Sequence, residues 1–239
     1  MKIAIIGYGK MGKEIERVAL DRGHEVVLKI TSQNSHEFNF DNLKMVDVAI
    51  EFTNPGLAVN NINICMASDT PVVVGTTGWY NNFDEVRNNV IQNEGCLLYA
   101  TNCSIGVNLF FKLNKYLAQL MNNHPDYDVH IEETHHTQKL DAPSGTAITL
   151  AEGIIENTDA KDLWVKGKGK ADHQLSVISH RKENVPGTHV INYSSEIDDI
   201  EIKHTAHNRR GFALGAVVAA EYIKDKKGIF TMEDVLFNK

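Results

Sequence analysis

The sequence Lys2-Ile3-Ala4-Ile5-Ile6-Gly7-Tyr8-Gly9-Lys10-Met11-Gly12 decides the fold class. Residues 2–6 form a short, continuous and β-branched run, which is typical of a strand buried on both faces of a parallel sheet. A GxGxxG pattern follows at once, and apolar residues then recur at helical spacing as far as Arg22-Gly23. A strand, this glycine pattern and a helix in that order indicate a dinucleotide-binding unit.

The glycines of the pattern have separate expected roles. Gly7 permits the tight turn, Gly9 lets a pyrophosphate approach the backbone, and Gly12 allows close packing of the helix on the strand. The helix that follows offers N–H groups and the positive end of its dipole to a phosphate. A glycine-rich turn without a ligand is the alternative, because the pattern alone is weak evidence.

Strand-like runs continue along the first part of the chain. They lie at residues 25–30, 46–52, 71–74 and 96–100, with helical stretches at 57–67 and 82–94. This alternation predicts an α/β fold with a Rossmann-like, doubly wound parallel sheet. Ligands of such sheets bind at the carboxyl ends of the strands. Polar or glycine clusters stand there at Phe52-Thr53, Gly75 to Thr77 and Ala100 to Cys103. Each alone is typical of a plain turn, and their joint placement favours a cofactor.

The end of the second strand bears on the choice between NADH and NADPH. A site for NADH usually has an acidic residue there, which binds the ribose diol. This chain has Lys29-Ile30-Thr31-Ser32 instead. Small polar residues beside a lysine tolerate a 2′-phosphate better than a carboxylate does, so the sequence favours NADPH over NADH. A solvated surface lysine is the alternative interpretation of Lys29.

The second half of the chain predicts an α+β domain with a mostly antiparallel or mixed sheet. A helix is expected from Val107 to Met121, with one side buried through Leu109, Phe110, Leu113, Leu117 and Leu120. Strands are expected near 128–134, 190–193 and 200–204. Residues 157–187 are polar and glycine-rich, and within them Lys166 to Lys170 are interpreted as a flexible loop, while His180 to Thr188 are expected to form a turn between strands. The predicted domains are 1–104 with 209–239 for the dinucleotide, and 105–208 for substrate binding and oligomerisation.

The stretch from His135 to Ala147 concentrates groups with chemical potential. His135 can donate a proton near neutral pH, and Lys139 adds a positive charge. Ser144 or Thr146 can cap the helix that follows, whose first N–H groups form a seat for a carboxylate or phosphate. Together these groups suit a reaction on a small, doubly anionic molecule.

A metal site is the alternative use of the same histidines. His130, Glu132 and His136 can share one strand face. The chain has neither an HExxH helix nor a cysteine pair, however, and we predict that the site holds no metal.

Composition excludes several classes of protein. The net charge of −7 argues against a nucleic-acid binder. No apolar run reaches about 18 residues, so we expect no membrane span. The three cysteines are an odd number without a CxxC pair. They argue against a disulfide framework and predict a reducing, cytoplasmic setting.

The motifs taken together resemble a known family. The run from Glu133 to Ala147, with the pattern HH…K.DAPSGTA, is similar to the signature of bacterial dihydrodipicolinate reductases, also called 4-hydroxy-tetrahydrodipicolinate reductases. The glycine pattern, Phe52-Thr53, Gly75 to Gly78, Asn102 to Asn108 and Arg209 to Ala213 follow in the family's order. The resemblance spans nearly the whole chain.

The resemblance implies a homotetrameric enzyme of lysine and diaminopimelate biosynthesis. Its reaction is hydride transfer from NADH or NADPH to a cyclic, imine-type dicarboxylate. By position, His135 matches the family's proton donor, Lys139 its second catalytic residue and His136 a substrate contact. Gly145 and Thr146 match the pair whose backbone holds a substrate carboxylate. The matching nucleotide contacts are Gly7, Tyr8, Gly9, Lys10, Met11, Gly12, Gly75, Thr76, Thr77, Ala100, Thr101, Asn102 and Cys103.

This chain departs from the family pattern at three places. Cys103 stands where the family usually has Phe or Met, the acid after the second strand is missing, and the segment from Thr188 to His204 is shorter than usual. Two rival functions remain: another Rossmann oxidoreductase, such as an aspartate or homoserine-type dehydrogenase, and a non-catalytic nucleotide sensor. The first requires a catalytic cysteine or a different lysine pair. The second has no need for His135, Lys139 and Gly145 together.

Overall fold

The computed structural model describes residues 1–238. The strands are β1 (Lys2–Ile6), β2 (Glu25–Ile30), β3 (Val48–Glu51), β4 (Val72–Val74), β5 (Cys96–Tyr99), β6 (Asp128–His135), β7 (Leu163–Lys166), β8 (Gln174–Arg181), β9 (Gly187–Ser194), β10 (Asp199–Ala206) and β11 (Gly228–Phe230). The α-helices are α1 (Lys10–Asp21), α2 (Phe40–Leu43), α3 (Pro55–Ala67), α4 (Phe83–Gln92), α5 (Ile105–Met121), α6 (Gly145–Ile155), α7 (Arg210–Ile223) and α8 (Met232–Phe237).

The chain forms two compact units. One contains Met1–Ile105 and the segment that begins at Arg209, and the other contains Gly106–Asn208. In sequence, the second unit is therefore an insertion into the first. Within residues 1–238, no helix is both long and apolar enough to span a bilayer.

The first unit is built on a parallel sheet. In the described part of the chain it has six strands in the order β11-β5-β4-β3-β1-β2, and each neighbouring pair is parallel. Ile3 and Ile5 of β1 face a core with α1 and α7, whereas Ala4 and Ile6 face a core with α3 and α4. Helices on both faces explain why the strands are continuously apolar. The predicted doubly wound sheet is confirmed.

Helix α7 packs unusually close to the sheet of the first unit. Its buried face includes Ala213, Ala216 and Ala220. A Cβ at Gly215 would lie 1.7 Å from the carbonyl oxygen of Cys103, so the backbones touch where a larger residue would collide. This close packing is the physical reason for the small residues on this face of the helix.

The second unit has a mixed sheet. In residues 106–208 its strand order is β10-β9-β6-β8-β7. The pairs β10–β9 and β9–β6 are antiparallel, and the pairs β6–β8 and β8–β7 are parallel. Phe110 and Ala118 of α5, with Leu150 of α6, pack against Ile131 and Val177 on one face of this sheet. The α+β prediction with a mixed sheet is confirmed.

The sequence pattern does not reveal β7 and β8, which lie within the polar segment 157–187. The loop expected at 166–170 connects these two strands apart from Lys166, which ends β7, and the turn expected at 180–188 connects β8 to β9. The segment Leu175-Ser176-Val177 alternates in burial as a half-buried strand does. The glycines and lysines at 167–170 belong to the connection between the two strands. Strand β11 is a further element that the sequence pattern does not reveal, and its Ile229 pairs with Leu97 of β5.

The buried face predicted for the long helix is also wrong in part. Leu109, Leu113 and Leu120 are 50%, 48% and 49% exposed. The helix instead turns the row containing Phe110, Asn114 and Ala118 inward. The side-chain amide of Asn114 donates to the carbonyl oxygen of Leu150 at 2.9 Å, and this buried hydrogen bond fixes the rotation of α5 against α6.

Candidate active site

The glycine pattern of the first unit forms a close-packed turn. Gly7 has a φ of +94°, and a Cβ there would lie 2.0 Å from the carbonyl oxygen of Phe52. A Cβ at Gly12 would lie 2.6 Å from the carbonyl oxygen of Gly7, whereas one at Gly9 would meet no atom within 4 Å. The first and third glycines are thus required by packing, and the second leaves open space beside the backbone.

The turn is held at the end of β2. The N–H groups of Gly7 and Tyr8 both donate to the carbonyl oxygen of Ile30, at 3.0 and 2.8 Å. Helix α1 then begins at Lys10, followed by Met11. The first-turn N–H groups of a helix have no acceptor within it, so this end of α1 can receive an anion.

The strand ends beside this turn are joined by hydrogen bonds. The backbone N–H of Thr53 donates to Oγ1 of Thr76 at 2.8 Å. A Cβ at Gly75 would lie 2.1 Å from Cζ of Phe52, so only glycine lets the Phe52 ring lie over this strand end. Thr76 is buried and Thr77 is exposed.

The segment from Ala100 to Cys103 is less open than the sequence suggests. Ala100 and Cys103 are only 7% and 2% exposed, and Thr101 is exposed. Oδ1 of Asn102 accepts from the N–H of Ser104 at 2.8 Å. Burial raises the pKa of the Cys103 thiol to about 12, and its side chain packs in the core with α7. The predicted cofactor contact at Cys103 therefore concerns its main chain.

Lys29 forms part of a small cluster with Glu16 and Tyr8. Its ammonium group is ion-paired with the carboxylate of Glu16, to which the hydroxyl of Tyr8 also donates. Lys29 Nζ also lies 5.3 Å from the centre of the Tyr8 ring. Burial would raise the pKa of Glu16, but hydrogen bonds from Lys29 and Tyr8 outweigh it and lower the pKa. Lys29 is thus an ion-paired lysine rather than a solvated one, and Glu16 balances its positive charge.

In the second unit, His135 lies at the last position of β6. Its side chain is 8% exposed, and its Nδ1 atom lies 3.4 Å from Oε2 of Glu133. Alternate residues of a strand point to the same face, which brings Glu133 and His135 together. Within the described residues, Nδ1 of His135 makes no hydrogen bond.

Glu133 is a carboxylate without exposed surface. Its Oε1 atom accepts from the N–H of Ser144 at 3.0 Å and from the hydroxyl of Ser179 at 2.7 Å. Its Oε2 atom lies 3.6 Å from Nε2 of His189. Burial would raise the pKa of Glu133, but its interactions with His189, Ser144 and Ser179 prevail and lower the pKa to about 2.

Strand register brings these residues together. Glu133 pairs with Ser179 of β8 on one side and with His189 of β9 on the other. The rings of His135 and His189 have centroids 5.1 Å apart and meet edge to face at 71°. Burial and, after it, the neighbouring His189 lower the pKa of His135 to about 4, while Glu133 acts in the opposite direction.

Lys139 lies in the loop between β6 and α6. Its Nζ atom is 2.8 Å from Oδ1 of Asp141. Arg181 donates through Nε to the carbonyl oxygen of Lys139 at 3.3 Å and through Nη2 to that of Asp141 at 2.5 Å. The N–H of Lys139 donates to the carbonyl oxygen of His136 at 3.1 Å. The loop is therefore fastened to β8, and Lys139 is close enough to His135 to lower its pKa.

The loop leads into the N-terminus of α6. Ser144 is the N-cap, and its hydroxyl accepts from the N–H of Ala147 at 3.2 Å. Of the two capping residues considered, Ser144 is the correct one. Gly145 and Thr146 are the first helical residues, and a Cβ at Gly145 would meet no atom within 4 Å.

The histidines do not group as the metal hypothesis required. The ligand atoms of Glu133, His135 and His189 lie within 4.8 Å of one another. His130 and Glu132 instead form a separate pair, with Nε2 and Oε1 3.7 Å apart. Oε1 of Glu133 also accepts hydrogen bonds from Ser144 and Ser179.

Sequence reasoning brought His135, Lys139 and Gly145 to one region but missed four of their neighbours. It assigned no role to Glu133, Ser179, Arg181 and His189. Burial of a glutamate between Ile131 and His135 was a usable signal, because the alternation of β6 places all three on one face. The other three residues come from β8 and β9, and only strand register reveals them.

Comparisons with known proteins agree with this architecture. Profiles described as "Dihydrodipicolinate reductase, N-terminus" and "Dihydrodipicolinate reductase, C-terminus" match residues 1–103 and 106–236. A 4-hydroxy-tetrahydrodipicolinate reductase from Christiangramia forsetii is 49% identical over 238 residues, which cover 99% of this chain and 98% of that protein. One from Rickettsia rickettsii is 34% identical over 231 residues, 95% of each chain.

A solved structure supports the fold. The dipicolinate-bound dihydrodipicolinate reductase from Paenisporosarcina sp. TG-14 superimposes with a TM-score of 0.76 over 97% of each chain, at 24% identity. Two profiles that together span nearly the whole sequence, and a relative of 49% identity along its length, show the relationship directly. The chain belongs to the dihydrodipicolinate reductase family.

Proposed function

We propose that the chain converts 4-hydroxy-tetrahydrodipicolinate to tetrahydrodipicolinate with NADH or NADPH, in lysine and diaminopimelate biosynthesis. The 4-hydroxyl group leaves as water to give the conjugated dihydro ring, and that ring then takes up the hydride and a proton. The observation that carries the proposal is one region of the second unit. There a buried imidazole, a lysine and a capped helix N-terminus lie on adjoining segments, at His135, Lys139 and Ser144. A proton donor, a cation and an anion seat are the groups that this reaction of a dicarboxylate requires.

The first unit fits the dinucleotide that the family uses. Gly7 and Gly12 sit where a side chain would collide with backbone, and Gly9 leaves open space at the start of α1. Bound NADH or NADPH supplies the hydride. We assign its binding to the glycine turn (Gly7 to Gly12), to Gly75, Thr76 and Thr77, and to residues 100–103.

The second unit supplies charge and a proton. We assign one substrate carboxylate to the backbone of Gly145 and Thr146, at the positive end of the α6 dipole. Lys139 stabilises the negative charge that develops on the ring during reduction. His136 contacts the substrate from the adjoining position, and its half-buried side chain has a buried Nδ1 atom without a hydrogen bond within residues 1–238.

His135 donates the proton to the ring carbon next to the one that receives the hydride. With its pKa lowered to about 4, chiefly by burial, His135 is neutral in the free protein at pH 7. A doubly negative substrate beside it favours the charged imidazolium and raises the pKa again. His135 therefore gains its proton when the substrate arrives.

We propose NADPH as the preferred form of the cofactor. No acidic residue ends β2, where Thr31 and Ser32 follow Ile30. Lys29 stands beside them but is neutralised by Glu16, so its help to a 2′-phosphate is smaller than the sequence alone suggested. The exposed Lys10 at the start of α1 adds a second positive charge at the nucleotide turn.

We also propose a homotetramer that works in the cytoplasm. The family resemblance supports the tetramer, and light scattering on an eluting size-exclusion peak measures it. All three cysteines are free and buried, which suits a reducing compartment.

The test is a reductase assay on the purified chain. Freshly made 4-hydroxy-tetrahydrodipicolinate is added to chain and NADPH, or to chain and NADH, and loss of reduced nicotinamide is followed by absorbance. We expect turnover with both and a larger kcat/KM with NADPH. Binding of either cofactor without turnover would replace the proposal with a nucleotide sensor, and turnover of aspartate or homoserine instead would assign another dehydrogenase.

A further inference from the structure

Hydrogen bonds from neighbouring segments hold the buried carboxylate of Glu133 in one orientation. It sits in the middle of a cross-strand row, between Ser179 of β8 and His189 of β9. Its Oε1 atom is held by the N–H of Ser144 at 3.0 Å and by the Ser179 hydroxyl at 2.7 Å. The same Ser144 N–H also donates to Oε2 at 3.2 Å. These contacts fix the carboxylate plane, with Oε2 beside the two imidazoles.

Two imidazole nitrogens lie near Oε2, but their situations differ. Nε2 of His189 is 3.6 Å from Oε2 and has a second partner, the Ser144 hydroxyl, at 3.2 Å. Nδ1 of His135 is 3.4 Å from Oε2, is buried, and makes no hydrogen bond to any group within residues 1–238. A shift of a few tenths of an ångström completes a hydrogen bond from Nδ1 of His135 to Oε2.

We propose that Glu133 is a positioning residue for the proton donor His135. It accepts the Nδ1 proton and so fixes the ring orientation and tautomer, which leaves Nε2 as the atom that takes up a proton and passes it on. The carboxylate also stabilises the imidazolium that forms before the transfer, in the way a buried acid serves the histidine of a catalytic triad. This inference rests on the proposed function, because it assigns Glu133 through the reaction of His135.

The charged groups around His135 support this arrangement. The carboxylate of Glu133 raises the pKa of His135, whereas His189, Lys139 and Arg181 all disfavour its charged form. Arg181 also lies 3.8 Å from Oε1 of Glu133. Removing the Glu133 charge would therefore leave His135 among groups that oppose its protonation.

Kinetics of Glu133→Gln test the proposal. Glu133 has no exposed surface and cannot touch the substrate, so KM and dipicolinate binding should stay near the wild-type values. We expect kcat to fall on the order of 10²-fold, because the amide no longer fixes the tautomer or stabilises the imidazolium. The alkaline limb of the kcat profile should move to lower pH. Glu133→Asp should restore part of kcat and part of the shift.

Glu132→Gln is the matched control. Glu132 is the preceding residue on β6, points to the opposite face, and has a side chain 44% exposed near His130 and His180. It should keep wild-type kcat and pH profile. If Glu133→Gln folds and also keeps both, the proposal is overturned. An inactive wild-type protein would instead overturn the proposed function.

Nitrogen-15 NMR of the histidine rings gives a second readout, taken on the wild-type protein rather than on a Glu133 variant. In the wild-type protein near pH 7, His135 should show the Nδ1–H tautomer, with its signals assigned by their loss in His135→Gln. A neutral His135 protonated at Nε2 would exclude Glu133 as its acceptor and overturn the inference.

Discussion

The main chain at Gly187 lies against the imidazole of His135. A Cβ at position 187 would come within 3.1 Å of Nε2 and 3.2 Å of Cδ2 of that ring. Both residues belong to the second unit, at the start of β9 and the end of β6. The glycine thus sets the space in which the proposed proton donor turns.

Gly187→Ala should lower kcat by about 10-fold while the protein stays folded. The added methyl group displaces the ring by a few tenths of an ångström, and misplacing a reacting group by that order costs rate. Steady-state kinetics measure the effect. Binding of NADPH to the first unit should not change, and an unaltered kcat would show that the ring moves without consequence.

His135→Gln should lower kcat by about 10²- to 10⁴-fold, the usual contribution of a general acid, and raise KM far less. The substitution keeps polarity but removes the titratable proton. Single-turnover oxidation of bound NADPH measures the rate of the reduction step directly. A variant with intact kcat would remove His135 from the role of acid.

Lys139→Ala should both raise the KM for the dicarboxylate and lower kcat, because its charge acts on the substrate and on the developing ring anion. About a 10-fold rise in KM and a similar fall in kcat are expected from the loss of one partly exposed cation. Leu140→Ala is the control, since that side chain is 97% exposed on the same loop. Wild-type kinetics for Lys139→Ala would place it outside the site.

Glu16→Gln should raise the preference for NADPH over NADH. The change releases Lys29 from its ion pair beside Tyr8 and leaves a cation at the nucleotide turn. The ratio of kcat/KM values for the two cofactors should move several-fold, as expected for one partly exposed charge. Glu14→Gln, which breaks the pair with Arg17 on the same helix, should leave the ratio unchanged.

Stability should fall with acid in two stages. His135 has a pKa lowered from 6.5 to about 4, so the unfolded chain binds more protons between those values and the free energy of unfolding decreases as pH falls through them. Glu133, lowered from 4.5 to about 2, adds a second decrease from 4.5 downward. Urea denaturation across this range should show that His135→Gln removes the upper stage. A pH dependence identical to the wild type would contradict the assignment.

Features formed by residues close together in the sequence could be predicted, whereas features formed by residues far apart in the sequence were missed. The glycine turn follows its strand directly, and the atom that excludes a side chain at Gly12, the carbonyl oxygen of Gly7, belongs to the same βα unit. The turn is therefore visible in one short stretch of sequence, although the group that excludes a side chain at Gly7 comes from Phe52 after β3. The site around Glu133 is not local. Ser179 and His189 reach it only through the register of β6 with β8 and β9, and no spacing along the chain encodes that register.

The errors in the second unit have the same origin. The strand β8 was hidden because the glycines and lysines before it outweighed the alternation of Leu175 and Val177. On α5, leucines occur on more than one side, so periodicity did not identify the buried face. A single buried hydrogen bond, from Asn114 to the carbonyl oxygen of Leu150, accompanies the orientation that the helix adopts.

The first unit is built from two separate segments of the chain, and this has a consequence for how the chain is synthesised and folded. Strand β11 and helix α7 belong to the sheet and core that begin with β1, yet roughly 100 residues of the second unit are synthesised in between. Synthesis proceeds at about 5–20 residues per second, so the N-terminal segment of the first unit waits on the order of 5–20 s for helix α7 and strand β11. The inserted unit can fold during that interval, whereas β5 remains an open edge. A ribosome that stalls before Arg210 therefore releases a chain with a complete second unit and an unfinished, aggregation-prone first one.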